Sequence, residues 1–510
     1  MKVLGRNNHV VAIAAGTAAV HWFVAMWHGG PVAVPDVSAY LSVAQWVAGG
    51  VLPEPLHFFP GYGVVLAPVS WLSGSALHTA ALILNGVLAG CCVLGAATLA
   101  RKCGGSSRVA VGAAALAAVH PSISAASRIA WPETLLTAVL FAVALLIWRD
   151  SWRLASLSAS LAVAVHPRAV VLIIAVFLLA VADRRVRPAL SGAIPGLAIS
   201  ALLLHLTASW PWARVDAARS LGEGLGPLPT MSGQWIALSG TSVGLAALGL
   251  IVSLRGMRNR TEPAAVTFLG LSATGMLILG GWALAGSDRV DTLLYSRYIG
   301  PWVVPLTIVG LVAVVRGSLT RLTVLGALAP TIVGLVVVFI ASGDATGDAR
   351  RIMTLGLGAV WAMFNGRFFP TLFVAVMLAV IGVSCARRGP LIPLVVVFAL
   401  AISSTVTNHY HLHQVGQIAD GQVSTAALVP NDIDCLGHDA STKSYALWLY
   451  RLQLPDLHHR RVDLTSGTPP CSSHVVAADD ALTHCRGAEL LATEPRAKWG
   501  MWRYPSPGCG

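Results

Sequence analysis

The sequence predicts an α-helical polytopic membrane protein of about thirteen transmembrane helices, ending in a small extracytoplasmic α/β domain. Three observations predict it. The 510-residue chain is 55% hydrophobic and only 11% charged, where a soluble chain would carry roughly a quarter charged residues. Apolar runs about long enough to cross a bilayer recur from near the N-terminus to about Thr407. From Asn408 onward the composition becomes polar, with strand-like alternation and four cysteines.

The formal charge of +12 would suit a nucleic-acid surface, but its placement excludes one. Arg101-Lys102, Arg149 with Arg153, Arg184-Arg185, Arg255 with Arg258, Arg316 with Arg321 and Arg387-Arg388 all fall in short loops between apolar runs. Short cytoplasmic loops collect Lys and Arg, so the surplus records topology.

With the N-terminus cytoplasmic, spans are expected at 9–27, 76–100, 108–120, 132–148, 154–166, 169–182, 189–206, 234–253, 264–284, 298–315, 322–341, 370–385 and 389–406. The pair within 154–182 is short enough to be one broken hairpin. Met1 to Trp27 has the basic start and apolar middle of a signal peptide. Bulky Trp22, Phe23, Met26 and Trp27 stand where small residues would allow cleavage, so a retained first helix is expected. An odd number of crossings puts the tail outside. Its four cysteines, Cys435, Cys471, Cys485 and Cys509, fit two disulfides in an oxidising compartment, with three connectivities open. Cys91, Cys92, Cys103 and Cys385 lie in or beside spans, as small apolar fillers do.

The most informative stretch is the loop 28–75. Its run DVSAYLSVAQWVAGG has apolar residues at helical spacing but is too short to span. An interfacial helix is expected, with Asp36 as its N-cap after Pro35 and with Tyr40 and Trp46 at headgroup depth. Pro53-Glu54-Pro55 then leads to His57-Phe58-Phe59-Pro60-Gly61-Tyr62 and a second short apolar helix over 61–72. Asp36 reads equally as a cap or as a catalytic acid, and His57 as an interfacial histidine or a phosphate contact.

Other outer loops carry further candidates. Glu133 follows Trp131-Pro132 at a helix start, where an acid suits the positive dipole. Arg128, five residues earlier, runs against the topological charge bias. His166-Pro167-Arg168 breaks an apolar run at an outward turn, where a cation needs water or an anion. Arg289, Tyr295, Arg297 and Tyr298 reach another outer helix start, and the loop 207–233 has the aromatic, Gly/Pro-rich character of a substrate loop. One such arginine is a headgroup anchor; several on one face suggest a seat for a lipid-borne phosphate.

In the tail, strands are expected at 424–429, 461–465, 473–478, 489–493 and 500–504, with a helix over 443–453. His409, His411 and His413 alternate like metal ligands but lack a fourth partner, so no metal is expected.

Asp36 and Tyr40 in DVSAYLSVA, followed by HFFPGYGVVLAPVSWL, resemble the Asp-x-x-x-Tyr helix and Phe-Phe-Pro turn of GT-C membrane glycosyltransferases. The likeness is greatest to the glycosylphosphatidylinositol mannosyltransferase II type and its bacterial, notably actinobacterial, relatives. HPSISAASRIAWPETLLTAVLFAVALL is similar to that family's next outer loop, which ends in Glu before a helix, and AVAVHPRAVVLI to its short Arg-Pro turn. Pro35 replaces the family's usual Trp before the Asp, and Trp131-Pro132 replaces Tyr-Thr before the Glu.

The resemblance implies a transferase domain over 1–407, with an added domain over 408–510. It implies transfer of a sugar, mannose by family, from a polyprenyl-phosphate donor to a glycan, lipid or protein hydroxyl outside the plasma membrane. An arabinofuranosyltransferase of the same class, or a transporter, is the alternative. Asp36 would accept the acceptor hydroxyl's proton, with Glu133 as the second acidic candidate. Arg128, Arg168, Arg297 and His57 would stabilise the departing phosphate. Tyr40, Phe59 and Tyr62 would line the acceptor side. The leaving group is already an anion, so the carboxyl pair of glycoside hydrolysis is not needed, and no cofactor is expected. The tail is expected to bind or orient a glycan acceptor.

Overall fold

The computed structural model describes residues 8–27, 29–32, 34–52, 59–72, 74–207, 226–259, 263–285, 289–343, 351–443 and 445–505. The membrane part comprises α1 (Asn8–Trp27), α2 (Val34–Val47), α3 (Gly61–Leu66), α4 (Gly74–Lys102), α5 (Ser107–Val119), α6 (Glu133–Trp148), α7 (Trp152–Val165), α8 (Val170–Ala182) and α9 (Val186–Leu206). It continues with α10 (Leu228–Thr241), α11 (Leu245–Asn259), α12 (Ala264–Leu284), α13 (Ser296–Val315), α14 (Arg321–Ser342), α15 (Gly358–Met363), α16 (Phe368–Ala386) and α17 (Leu391–Asp420). Each expected span but one falls on a single helix. Among the described residues eight helices are long and apolar enough to cross a membrane alone, while α5 to α8 are shorter. The helix starts use local chemistry: the Ser106 hydroxyl accepts from Val109 N and that of Thr320 from Thr323 N, satisfying N–H groups the helix itself cannot pair.

One expected span is corrected. The run 234–253 is not a single helix, because α10 and α11 meet at 112°. The break falls at Val243 (φ 52°) and Gly244 (φ 79°), left-handed backbone that a β-branched residue adopts only under strain. A Cβ on Gly244 would run into Val383 of α16. Beyond the bend, Gly249 of α11 faces the Leu306 carbonyl of α13, and Gly310 of α13 faces that of Leu245. Paired small residues let two apolar helices approach backbone to backbone where side-chain burial supplies little drive.

That approach places α13 at the centre of the bundle, buried along nearly its whole length. Its first turn therefore opens into the middle of the molecule, among the loops between helices. The expected interfacial helix forms as α2, but it begins at Val34, so Asp36 sits in its first turn and is not its N-cap. Tyr40 is 2% exposed and packs edge-on against the buried Tyr62 of α3, 5.7 Å between rings. It therefore packs inside the protein and does not face lipid.

Helix α17 runs unbroken through the composition change at 408 to Asp420. The tail then forms β1 (Cys435–Asp439), α18 (Ala446–Gln453), β2 (His458–Val462), β3 (His474–Ala478), β4 (Glu489–Thr493) and β5 (Trp499–Arg503). The sheet order is β2-β1-β3-β5-β4, with β2, β1 and β3 parallel and β5 antiparallel to both its neighbours. Three tail expectations change. The segment 424–429 is a 3-10 turn (Ser424–Leu428), the strand expected at 461–465 lies earlier as β2, and β1 was not expected. Cys435 bonds Cys471, and Cys485 is also in a disulfide; Cys509 lies outside the described residues.

Glu494 ties the segment after α17 to the rest of the tail, and α18 fixes the tail to the membrane part. Glu494 accepts from the backbone and hydroxyls of Ser424 and Thr425 and from the Tyr450 hydroxyl, at 2.5 to 2.9 Å. Helix α18 lies along α2, where Gln45 donates to the Leu452 carbonyl at 3.2 Å and Trp448 packs on Ala39 and Val43. The tail thus stands on the same face of the bundle as Asp36.

Candidate active site

Four segments far apart in sequence meet at the first turn of α13. Arg297 donates from Nη1 to Asp36 Oδ2 at 2.7 Å and from Nε to Glu133 Oε1 at 2.6 Å. Arg168 donates from Nη2 to the same Glu133 oxygen at 2.6 Å and from Nη1 to the Arg297 carbonyl at 3.1 Å. Two carboxylates and two guanidiniums form one network of zero formal charge. Burial of these side chains is near complete for Glu133 (4% exposed), Arg168 (3%) and Arg297 (7%), while Asp36 is 19% exposed. Removing so many charges from water costs several kcal/mol per ion unless each finds a partner, which the shared pairing supplies.

Aromatic rings fix the arginines. The Arg297 guanidinium lies 4.1 Å from the centre of the Trp131 ring and that of Arg168 lies 5.0 Å from Tyr298, contacts that favour the planar, weakly hydrated guanidinium. Trp131 is fully buried and anchored by its indole N–H on the Ala126 carbonyl at 2.8 Å. Tyr62 holds Asn85 at 3.0 Å, and Asn85 in turn donates to the Ile129 carbonyl at 2.8 Å. The chain from α3 to the loop before α6 is thereby set by hydrogen bonds and not by packing alone.

A cavity of about 50 Å³ opens beside this network, lined by Asp36, Tyr40, Phe59, His166, Arg297 and Tyr298. Asp36 presents it with an asymmetric carboxylate: Oδ2 is held by Arg297, and Oδ1 has no hydrogen bond among the described residues. Burial, and after it the charges of Glu133 and Asp36, push the Tyr40 phenol above its ordinary pKa, so it stays a neutral hydroxyl. His166 accepts the Arg168 backbone N–H on Nδ1 at 3.3 Å, which leaves the neutral ring's proton on Nε2. A smaller cavity, about 20 Å³, lies across Arg297 against Trp131 and Glu133.

Of the expected site residues, the structure brings together Asp36, Glu133, Arg168, Arg297, Tyr40 and Phe59, with Tyr62 packed behind Tyr40. Arg128 stands apart, since its hydrogen-bond partner is His409 and it lines neither cavity. His57 lies outside the described residues. Trp131, His166 and Tyr298 were visible in the sequence as neighbours of chosen residues, but nothing in their spacing marked His166 and Tyr298 as walls of one cavity or Trp131 as a wall of the other.

The described residues thus form a polytopic helical bundle with a small sheet domain, and a buried carboxylate–guanidinium network lies beside a polar cavity. Two crystal structures share this fold: ArnT from Cupriavidus metallidurans bound to undecaprenyl phosphate, and ArnT from the same organism in the apo state. The first aligns with TM-score 0.58 and 17% identity over 98% of this chain and 99% of that one. The second aligns with TM-score 0.55 and 17% identity over 96% and 97%. No family profile and no curated protein matches the chain.

Proposed function

We propose that this protein is an inverting, polyprenyl-phosphate-dependent glycosyltransferase of the plasma membrane, working on its outer face with a cytoplasmic N-terminus. The observation that carries the reading is the Asp36 carboxylate, which lines the cavity with Oδ2 pinned by Arg297 and Oδ1 without a hydrogen bond among the described residues. That arrangement suits a base that must take a proton in a fixed direction. The fold shared with ArnT, one structure of which holds undecaprenyl phosphate, supports a polyprenyl phosphate as the donor's carrier. Mannose as the sugar rests on the sequence resemblance, and the acceptor is a hydroxyl of a glycan, lipid or protein.

In the proposed step the acceptor oxygen attacks the anomeric carbon while the bond from that carbon to the phosphate oxygen breaks. Asp36 Oδ1 receives the hydroxyl proton, and the polyprenyl phosphate leaves as an anion beside Arg297 and the Nε2–H of His166. One displacement inverts the anomeric centre. Arg168, sealed behind Tyr298, acts on Glu133 and through it on Arg297, so Glu133 is a positioning residue and not a second acid. No cofactor or metal enters this step, because the leaving group departs already charged.

The test is transfer of labelled sugar from its polyprenyl phosphate by purified protein. Asp36→Asn should lower the rate by about 10²- to 10⁴-fold while polyprenyl-phosphate binding persists. If transfer survives and only the flux of a solute across proteoliposomes changes, the protein is a transporter. Mass spectrometry of the copurifying lipid-linked sugar would identify the donor.

A further inference from the structure

Arg128 is a buried cation of the membrane part. It is 8% exposed, and among the described residues no carboxylate lies within ion-pair distance of it. Its Nη1 bonds Nδ1 of His409, which must be an uncharged acceptor there, and its buried Nε has no partner. The neighbouring Ser127 hydroxyl bonds a ring nitrogen of His21 on α1 at 3.1 Å. One helical turn beyond His409, His413 bonds Gln417 at 3.0 Å. Among the described residues the surroundings are thus one full positive charge, three imidazoles and a hydroxyl, with no carboxylate to neutralise the charge. A buried guanidinium in that state costs several kcal/mol unless an anion joins it.

The loop carrying Arg128 is flanked by α1 and α17, and just past the end of α1 Gly29 and Gly30 lie against Gly416, Gln417 and Asp420 of α17. Both helices turn apolar side chains outward at this level: Trp22, Phe23 and Trp27 on α1, and Val406 and Tyr410 on α17, are all more than half exposed. In a bilayer those faces meet lipid, so what reaches Arg128 from that side is a lipid, and its complement is a head-group phosphate. We propose that Arg128 and His409 form a seat for the phosphate of a membrane lipid, separate from the Asp36 cavity. The seat's existence is independent of the transferase reading.

The test uses full-length protein released from detergent for native mass spectrometry, with phosphatidic acid, phosphatidylcholine, inorganic phosphate or farnesyl phosphate added. Phosphatidic acid adducts should exceed phosphatidylcholine adducts. Arg128→Gln should reduce them at least about tenfold, as loss of a charge-assisted phosphate contact does; Arg128→Lys should retain most of them and Arg297→Gln should leave them unchanged. Unchanged adducts in Arg128→Gln would make the arginine a strut for His409 and overturn the proposal. Displacement by equimolar inorganic phosphate would assign the seat to free phosphate and overturn the lipid. Equal loss of farnesyl phosphate in Arg128→Gln and Arg297→Gln would reveal one phosphate site where two are claimed. Should Arg128→Gln fail to fold, a photoreactive phosphatidic acid on the unmodified protein decides: adducts within 20–27 and 406–413 support the seat, and adducts elsewhere remove it.

Discussion

Arg297 is bonded to Asp36 across 261 residues of sequence, Nη1 to Oδ2 at 2.7 Å. That bond joins the first turn of α2 to the first turn of the central helix α13. The same guanidinium carries Glu133 on Nε, so one side chain sets the position of both acids. Any change in the Asp36 carboxylate is felt at Glu133 and Arg168, and single substitutions here should not behave additively.

Glu133→Gln should cost more stability than Asp36→Asn. Glu133 is the acid that two buried arginines share, and its loss leaves Arg168 with no carboxylate; breaking a buried pair from one side costs about 3–5 kcal/mol. Asp36 is the partly exposed member of the network, and water replaces part of what its loss removes. Thermal unfolding in detergent should show Glu133→Gln melting several degrees below Asp36→Asn. Equal melting temperatures would mean that the two acids share the buried charge evenly.

Arg297→Lys keeps the charge and should still fail. A single ammonium cannot serve Asp36 and Glu133 from two edges while stacking on Trp131. Transfer should fall about a hundredfold, the usual loss for one preorganised donor. A Lys variant within threefold of wild type would show that charge alone suffices.

Gly63→Ala sets two effects against each other. In a helix Ala is favoured over Gly by about 1 kcal/mol. Here, however, a Cβ at 63 would collide with the Tyr40 carbonyl and the Val43 side chain of α2, and a helical carbonyl has no room to give way. The collision should win, pushing α3 off the helix that carries Asp36. Transfer should fall about tenfold or more, since a displacement near 1 Å at a reacting group can cost 10²-fold. Activity at wild-type level would mean that α2 and α3 move together without disturbing Asp36.

The spans were legible because runs of apolar residues bounded by basic loops leave few alternatives in a bilayer. The bend at Val243-Gly244 was not, because its cause is distant: α11 must turn to meet α13 at Gly249 and Gly310, and no window around 243 contains that information. Strand β1, CLGHD, was missed because a strand with neighbours on both sides normally reads as apolar, whereas this one buries His438 and Asp439. Candidate residues were legible one loop at a time. Their convergence was not: Arg297 was chosen on topology alone and proves to be the hub, while Arg128, ranked first, bonds His409 and lines neither cavity.

The tail should lose stability in mild acid, and the hydrogen bonds give the reason. His459 donates from Nε2 to the Leu454 carbonyl at 3.0 Å, so its Nδ1 must accept, and it does so from His438 Nε2 at 2.9 Å. The chain closes only with the His459 ring neutral, and the buried Nδ1 of His438, which has no hydrogen-bond partner, gives a proton there no acceptor. Burial, and after it neighbouring cationic side chains, hold His438 well below its ordinary pKa, and burial chiefly lowers His459 to about 4. An unfolded tail would take up these protons near pH 6.5 and the folded tail would not. The stabilisation is therefore complete above about pH 6.5 and is lost as pH falls toward 4, with His459 alone contributing on the order of 2 kcal/mol near pH 4.5 and His438 adding in the same direction. Glu494 adds to the trend. Burial raises its pKa, but the donors from Ser424, Thr425 and Tyr450 outweigh this and leave it lowered, so it too favours folding less in acid. Hydrogen exchange at the amides of β1 and β2, corrected for intrinsic rates, should show protection falling between pH 6.5 and 4.5. Replacing His438 and His459 together with Phe and Leu should flatten that dependence, and protection that ignores pH in the unmodified protein would mean that one ring is already charged in the fold.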